Sequence, residues 1–192
     1  MKKQDKQVLA RVWVWLGVIL LVAATSLLGL WQWNIHTSKQ QAEAYVQTLE
    51  TLLPEPQGAA IEERKDNRMP MLSLEGTDFV GIIEMPRYQS TLPVCADLGQ
   101  VTKYPCRFDG SIYDRTMQIG ATTQVGQYDF YREISVGDEV YFTDMEGNRY
   151  TYTVTDLRYA KKVDKSTLEQ AALTLFIKNI YDFEYLIVYC ND

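Results

Sequence analysis

The pattern of apolar and polar positions divides the chain into four stretches: 1–11, 12–33, 34–75 and 76–192. The first is polar and basic. Val12 to Trp33 then carries no charge at all, which is long enough to cross a hydrocarbon core of about 30 Å as a helix. From Thr37 to Leu53 the positions Ala42, Tyr45, Val46, Leu49, Leu52 and Leu53 recur at helical spacing. That spacing predicts an amphipathic helix with a modest apolar stripe, ended by Pro54 and Pro56. Such a stripe suits a stalk, packing back on the domain, or a dimerisation seam. Residues 57–75 are mixed and charged, broken by Gly58 and Pro70, and read as a linker.

From Gly76 onward the runs are short and rich in β-prone residues. Phe79–Met85 is a predicted strand stopped by Pro86, and Thr91–Cys95 is a second. Residues 100–114, punctuated by Pro105 and Gly110, read mostly as loop. Met117–Thr122 is another strand, and Tyr128–Ile134 has room for one or two helical turns. Glu139–Asp144 and Arg149–Val154 flank Met145-Glu146-Gly147-Asn148, a hairpin with strong turn chemistry. Residues 164–172 predict a short helix capped by Asp164 or Ser166. Leu173–Asn179 and Glu184–Cys190 are the terminal strands. Many short strands with few helices point to a closed or half-closed β-barrel.

Charge and composition sharpen this picture at three points. Lys2, Lys3, Lys6 and Arg11 precede the apolar run, and Trp13, Trp15, Trp31 and Trp33 sit near its ends. By the positive-inside rule, an anchor of this kind leaves the N-terminus in the cytoplasm and the C-terminal domain outside the cell membrane. Ala23-Ala24-Thr25-Ser26 is a weak signal-peptide cleavage site buried inside the run, so an uncleaved single-pass anchor is the expectation. The net charge of −6 argues against a nucleic-acid partner. Cys95, Cys106 and Cys190 are too few and too spread for a zinc site, and no metal or cofactor is expected. In an oxidising compartment, a Cys95–Cys106 or a Cys106–Cys190 disulfide is conceivable, with three buried free thiols as the alternative. The single histidine, His36, lies before the domain.

Residues 76–192 resemble sortases, the membrane-anchored cysteine transpeptidases of Gram-positive cell surfaces. Phe79-Val80-Gly81-Ile82-Ile83-Glu84-Met85-Pro86 is similar to the family's first strand, and Thr91-Leu92-Pro93-Val94 to the strand after it. Tyr104-Pro105-Cys106-Arg107 with Asp109-Gly110-Ser111 resembles a segment of one sortase subgroup. Val136-Gly137-Asp138 with the following hairpin, and Leu173-Thr174-Leu175-Phe176, complete the set in order. The resemblance implies a mainly β fold: an eight-stranded barrel with short helices, preceded by a transmembrane helix and a helical stalk.

The resemblance also implies a catalytic trio that this chain does not carry. Sortase chemistry uses a thiolate nucleophile, a histidine acid–base and an arginine that stabilises the oxyanion. The corresponding positions hold Lys178, Thr122 and Tyr185. No histidine follows His36, and after Arg149 the sole arginine is Arg158. The expectation is an inactive sortase-like protein that binds a peptide, a pilin or a partner sortase through these positions. Its rival is a divergent transpeptidase or hydrolase in which Lys178 activates Thr122. A third reading is a purely structural envelope protein. Tyr128, Tyr131, Tyr159, Tyr181 and Tyr185 are candidates to line the groove, and Asp182 or Glu184 to pair with Lys178.

Overall fold

A computed structural model describes residues 2–54, 67–124, 126–168 and 171–192. The chain forms two compact units, Met1–Ser38 and Lys39–Asp192. Helix α1 (Lys2–Leu52) supplies the described part of the first unit. There Leu16, Ile19, Leu20, Leu21, Val22, Leu27, Leu28 and Leu30 are all exposed, so over residues 15–30 the helix presents apolar side chains on every side. The hydroxyls of Thr25 and Ser26 donate back to the carbonyls of Leu21 and Val22, which satisfies them within the helix. Among the described residues no helix is long and apolar enough to cross a membrane. The expected span, 12–33, includes residues 12, 14 and 31–33, whose side chains lie outside the described residues.

The second unit begins at Lys39, so the described residues of the expected stalk and linker from Lys39 onward belong to the same compact unit as the domain expected from Gly76. The stripe read from the sequence faces the barrel: Ala42 and Leu49 join its core cluster, and Val46 is buried beside them on the same stripe. Tyr45 packs on Phe79 and Tyr104, with ring centroids 5.5 and 5.9 Å away, and its hydroxyl donates to Glu75 at 2.6 Å. That bond, more than burial, pushes the Tyr45 phenol up to about 12. Residues 55–66 of the expected linker lie outside the described residues.

Among the described residues nine strands follow: β1 (Leu72–Leu74), β2 (Thr77–Met85), β3 (Ser90–Cys95), β4 (Cys106–Asp109), β5 (Met117–Thr122), β6 (Glu139–Asp144), β7 (Arg149–Ala160), β8 (Leu173–Lys178) and β9 (Tyr185–Asn191). Helix α2 (Lys165–Leu168) lies between β7 and β8. The sheet order is β1-β2-β3-β4-β5-β8-β9-β7-β6, and β6 pairs back onto β2. This closes a ring of eight strands and leaves β1 as an added edge. Closure removes the exposed edges that an open sheet would present. Gly81 is dictated by that closure: a Cβ there would stand 2.3 Å from the Phe142 ring and 2.6 Å from the Thr143 carbonyl.

The strands alternate with period two. Met117, Ile119 and Ala121 of β5, Leu173, Leu175 and Ile177 of β8, and Leu186, Val188 and Cys190 of β9 share one core cluster. The intervening residues form rows on the opposite face. Their registers are Gln118–Thr174–Tyr189, Gly120–Phe176–Ile187 and Thr122–Lys178–Tyr185. A second, smaller cluster joins Leu168, Ile187 and Tyr189 to Val163, Ala171 and Phe176. The segment around α2 therefore covers the first two rows. It is latched by Tyr189 Oη donating to the Thr167 carbonyl at 2.7 Å and Thr174 Oγ1 donating to the Leu168 carbonyl at 2.9 Å. Asp164 caps α2 by accepting from the Thr167 amide at 2.8 Å, as the sequence suggests. Tyr189→Phe should remove one latch bond, lower stability by about 1 kcal/mol, and raise amide hydrogen exchange over residues 163–168.

Candidate functional site

Three residues singled out from the sequence meet in one row. β5 and β8 run parallel with Thr122 opposite Lys178. β8 and β9 run antiparallel with Lys178 opposite Tyr185. The row ends its strands, beyond the cover that α2 lays over the other two. Thr122 is buried, while Lys178 and Tyr185 are half-buried.

The ammonium of Lys178 is held by rings. Its Nζ lies 5.5 Å from the Phe183 centroid and 5.9 Å from that of Tyr185, within the range of cation–π attraction. Among the described residues it forms no ion pair with Asp182 or Glu184, the partners considered from sequence. No hydrogen bond joins it to Thr122 either. The Thr122 hydroxyl instead accepts the Gln124 amide at 3.4 Å, and the Thr122 amide donates to Gln127 Oε1 at 3.2 Å. The two groups of the suggested Lys–Thr dyad are thus engaged elsewhere.

The turn between β8 and β9 is tightly specified. Asn179, 3% exposed, is its centre. Its amide donates to the Glu184 carbonyl at 2.8 Å, and its carbonyl accepts from the Phe183 amide at 3.0 Å. Its Oδ1 accepts from the Tyr181 amide at 3.0 Å, and its Nδ2 donates to Tyr131 Oη at 2.8 Å. The same phenol accepts from Arg132 Nε at 2.9 Å. Ile180 donates its amide to Thr123 Oγ1 at 3.2 Å. Within this frame Phe183 adopts φ of +60°, a left-handed conformation that a bulky residue rarely takes. The result is display: Tyr181 and Phe183 are 76% and 64% exposed, and Tyr159 is also exposed near the end of β7.

The aromatic groove expected from sequence is therefore partly present. Tyr131, Tyr159, Tyr181 and Tyr185 belong to this end of the barrel. Tyr128 does not: it is buried, its hydroxyl has no hydrogen-bond partner among the described residues, and burial pushes its phenol up. Phe183 was not foreseen. Its signal in the sequence is an aromatic residue inside a polar strand-to-strand turn, Tyr181-Asp182-Phe183-Glu184. Elsewhere, a cavity of about 370 Å³ lies between the end of α1 and the stacked pair Tyr88 and Phe130. No group of residues that could hold a metal ion occurs among the described residues.

This architecture is that of sortases. Sortase A from Corynebacterium diphtheriae superposes with a TM-score of 0.51 and 13% identity, covering 81% of this chain and 82% of that one. A crystal structure of Streptococcus agalactiae sortase C1 gives 0.51 and 16%, covering 80% and 83%. Another structure of sortase C1 from Streptococcus agalactiae, in complex with MTSET, matches at 0.48 and 15%, over 57% of this chain and 66% of that one. In that comparison the chain spans about two thirds of its relative's length. No protein-family model and no curated protein matches the sequence. The chain has the sortase fold: an eight-stranded barrel with few short helices.

Proposed function

We propose that this is a membrane-anchored, sortase-fold protein that binds rather than cleaves. In this reading α1 anchors it through residues 12–33, and the barrel lies outside the cell membrane. It serves as an accessory module in surface-protein or pilus assembly, holding a peptide segment of a surface protein, a pilin or a partner sortase. One observation carries the reading. The row Thr122–Lys178–Tyr185 is intact in register, yet it offers neither thiol, imidazole nor guanidinium, and Lys178 is turned onto aromatic rings. An uninterrupted apolar helix surface over residues 15–30, with its hydroxyls satisfied internally, supports the anchor.

The exposed rings beside a cation suit a peptide with apolar and carboxyl groups. Incubated with sorting-signal peptides, the full chain in detergent should yield neither cleavage nor transpeptidation. A photo-crosslinker placed at Tyr181 should capture an exported protein in cells, and Phe183→Ala should weaken that capture about tenfold. Peptide turnover by the wild type that disappears in Lys178→Ala would instead establish the divergent enzyme. Absence of any captured protein would favour a structural envelope role.

A further inference from the structure

We infer that Cys95 and Cys106 are an oxidation site whose disulfide clamps β3 to β4. These strands form the thinnest seam of the barrel, paired in parallel at a single position, Cys95 opposite Cys106. The other seams of the ring have between three and seven paired positions. Across this seam Cys95 donates its amide to the Pro105 carbonyl at 2.8 Å. Pro105 has no N–H to return a bond. Two cysteines thus face each other where the backbone ladder is shortest.

The geometry suits a bridge. Neighbouring strands lie about 4.7–4.9 Å apart, inside the roughly 4.4–6.8 Å Cα separation of disulfides. Both residues are free thiols in this structure and 0% exposed, opposite one another in register. Cys106 also faces the Tyr104 carbonyl at 3.3 Å. Cys190 is not a competitor. It is in register with Leu173 and Val154, three strands from β4 along the sheet.

The contact with Cys95, and then burial, pushes the Cys106 thiol up, so the closed barrel holds little thiolate. The exchange therefore belongs to folding, before residues 96–105 settle. The oxidant is a disulfide, either of an exported protein or of a small thiol. One cysteine thiolate attacks it, releasing one thiol and forming a mixed disulfide. The second cysteine then displaces the other thiol. Two S–H bonds are lost, one S–S bond forms, and the external disulfide is reduced to two thiols.

The clamp rests on the proposed outward placement only for its source of oxidant, and the test separates the two. The full chain is refolded in detergent with oxidised glutathione, denatured and alkylated. One alkyl group, on Cys190, and a cross-linked peptide joining Cys95 to Cys106 are expected. Reductant should lower the melting temperature of this material by about 5 °C or more. That shift should vanish in Cys95→Ala and Cys106→Ala and persist in Cys190→Ala. Three alkylated thiols after refolding, or a bridge that includes Cys190, would overturn the inference. The same mapping on membranes from the native host reports placement. A bridge that forms on refolding but is missing from those membranes keeps the clamp and sinks the outward placement.

Discussion

The triple variant Thr122→His, Lys178→Cys, Tyr185→Arg is expected to carry a hyper-reactive thiol on an otherwise unchanged barrel. The three positions stand in one register row, so the new side chains would project from adjacent strands on one face. A free cysteine with a pKa of about 8.5 is roughly 3% thiolate at pH 7. An adjacent imidazolium and guanidinium bring such thiols to about 7.5 or lower. The thiolate population then rises roughly tenfold or more, partly offset by the lower nucleophilicity of a more acidic thiol. Reaction with a small thiosulfonate should therefore be several-fold to tenfold faster than in Lys178→Cys alone. The gain should fade as the pH rises toward 9, where both thiols ionise. Equal rates in the two variants at pH 6–7, with the fold retained by circular dichroism, would mean that the row is not the counterpart of the sortase site.

Asp144→Ala should be among the most destabilising single changes in the barrel. Asp144 is 0% exposed at the end of β6. It accepts the amides of Glu146 and Asn148, each at 2.9 Å, the Asn148 side-chain amide at 3.0 Å, and the Tyr113 hydroxyl at 2.9 Å. Tyr150 Oη adds a longer bond at 3.4 Å. These bonds organise the turn into β7, where Gly147 takes φ of +83°. Alanine would leave several buried donors without acceptors, each costing about 1–3 kcal/mol. A net loss of about 4 kcal/mol follows, or a fall of roughly 10 °C in melting temperature. Asp144→Asn keeps one acceptor oxygen and should lose about half as much. A loss below 1 kcal/mol for Asp144→Ala, measured by denaturant unfolding, would show that the turn holds without its carboxylate.

Much of this fold is legible in the sequence because burial and alternation coincide. β2, β5, β6 and the terminal strands carry apolar residues with clear stops at Pro86, Asn148 and Asn179. β4 was hidden because Cys106–Asp109 is a brief run caught between Pro105 and Gly110, with only Cys106 buried. β7 extends to Ala160 because a register shift between Val154 and Asp156 lets polar residues continue the strand. Composition alone ended it early. The contact of Ala42 and Leu49 with the barrel could not be read from a stripe, since periodicity specifies a face and not its partner. The site row was legible for a different reason. Once β5, β8 and β9 are neighbours, positions Thr122, Lys178 and Tyr185 fall in line by register. The left-handed Phe183 was not legible, because it is imposed by the hydrogen bonds of Asn179 rather than by local preference.

The cover laid by α2 over the outer face sets a scale for recognition. With two of its three rows covered by the segment around Leu168, this face of β5, β8 and β9 leaves an extended chain a landing of a single row. At about 3.3 Å per residue, that is contact with two or three residues of a partner. A footprint so small favours chain ends and bends, and brief residence. For the proposed membrane-anchored binder, retention would come from avidity rather than from any one engagement.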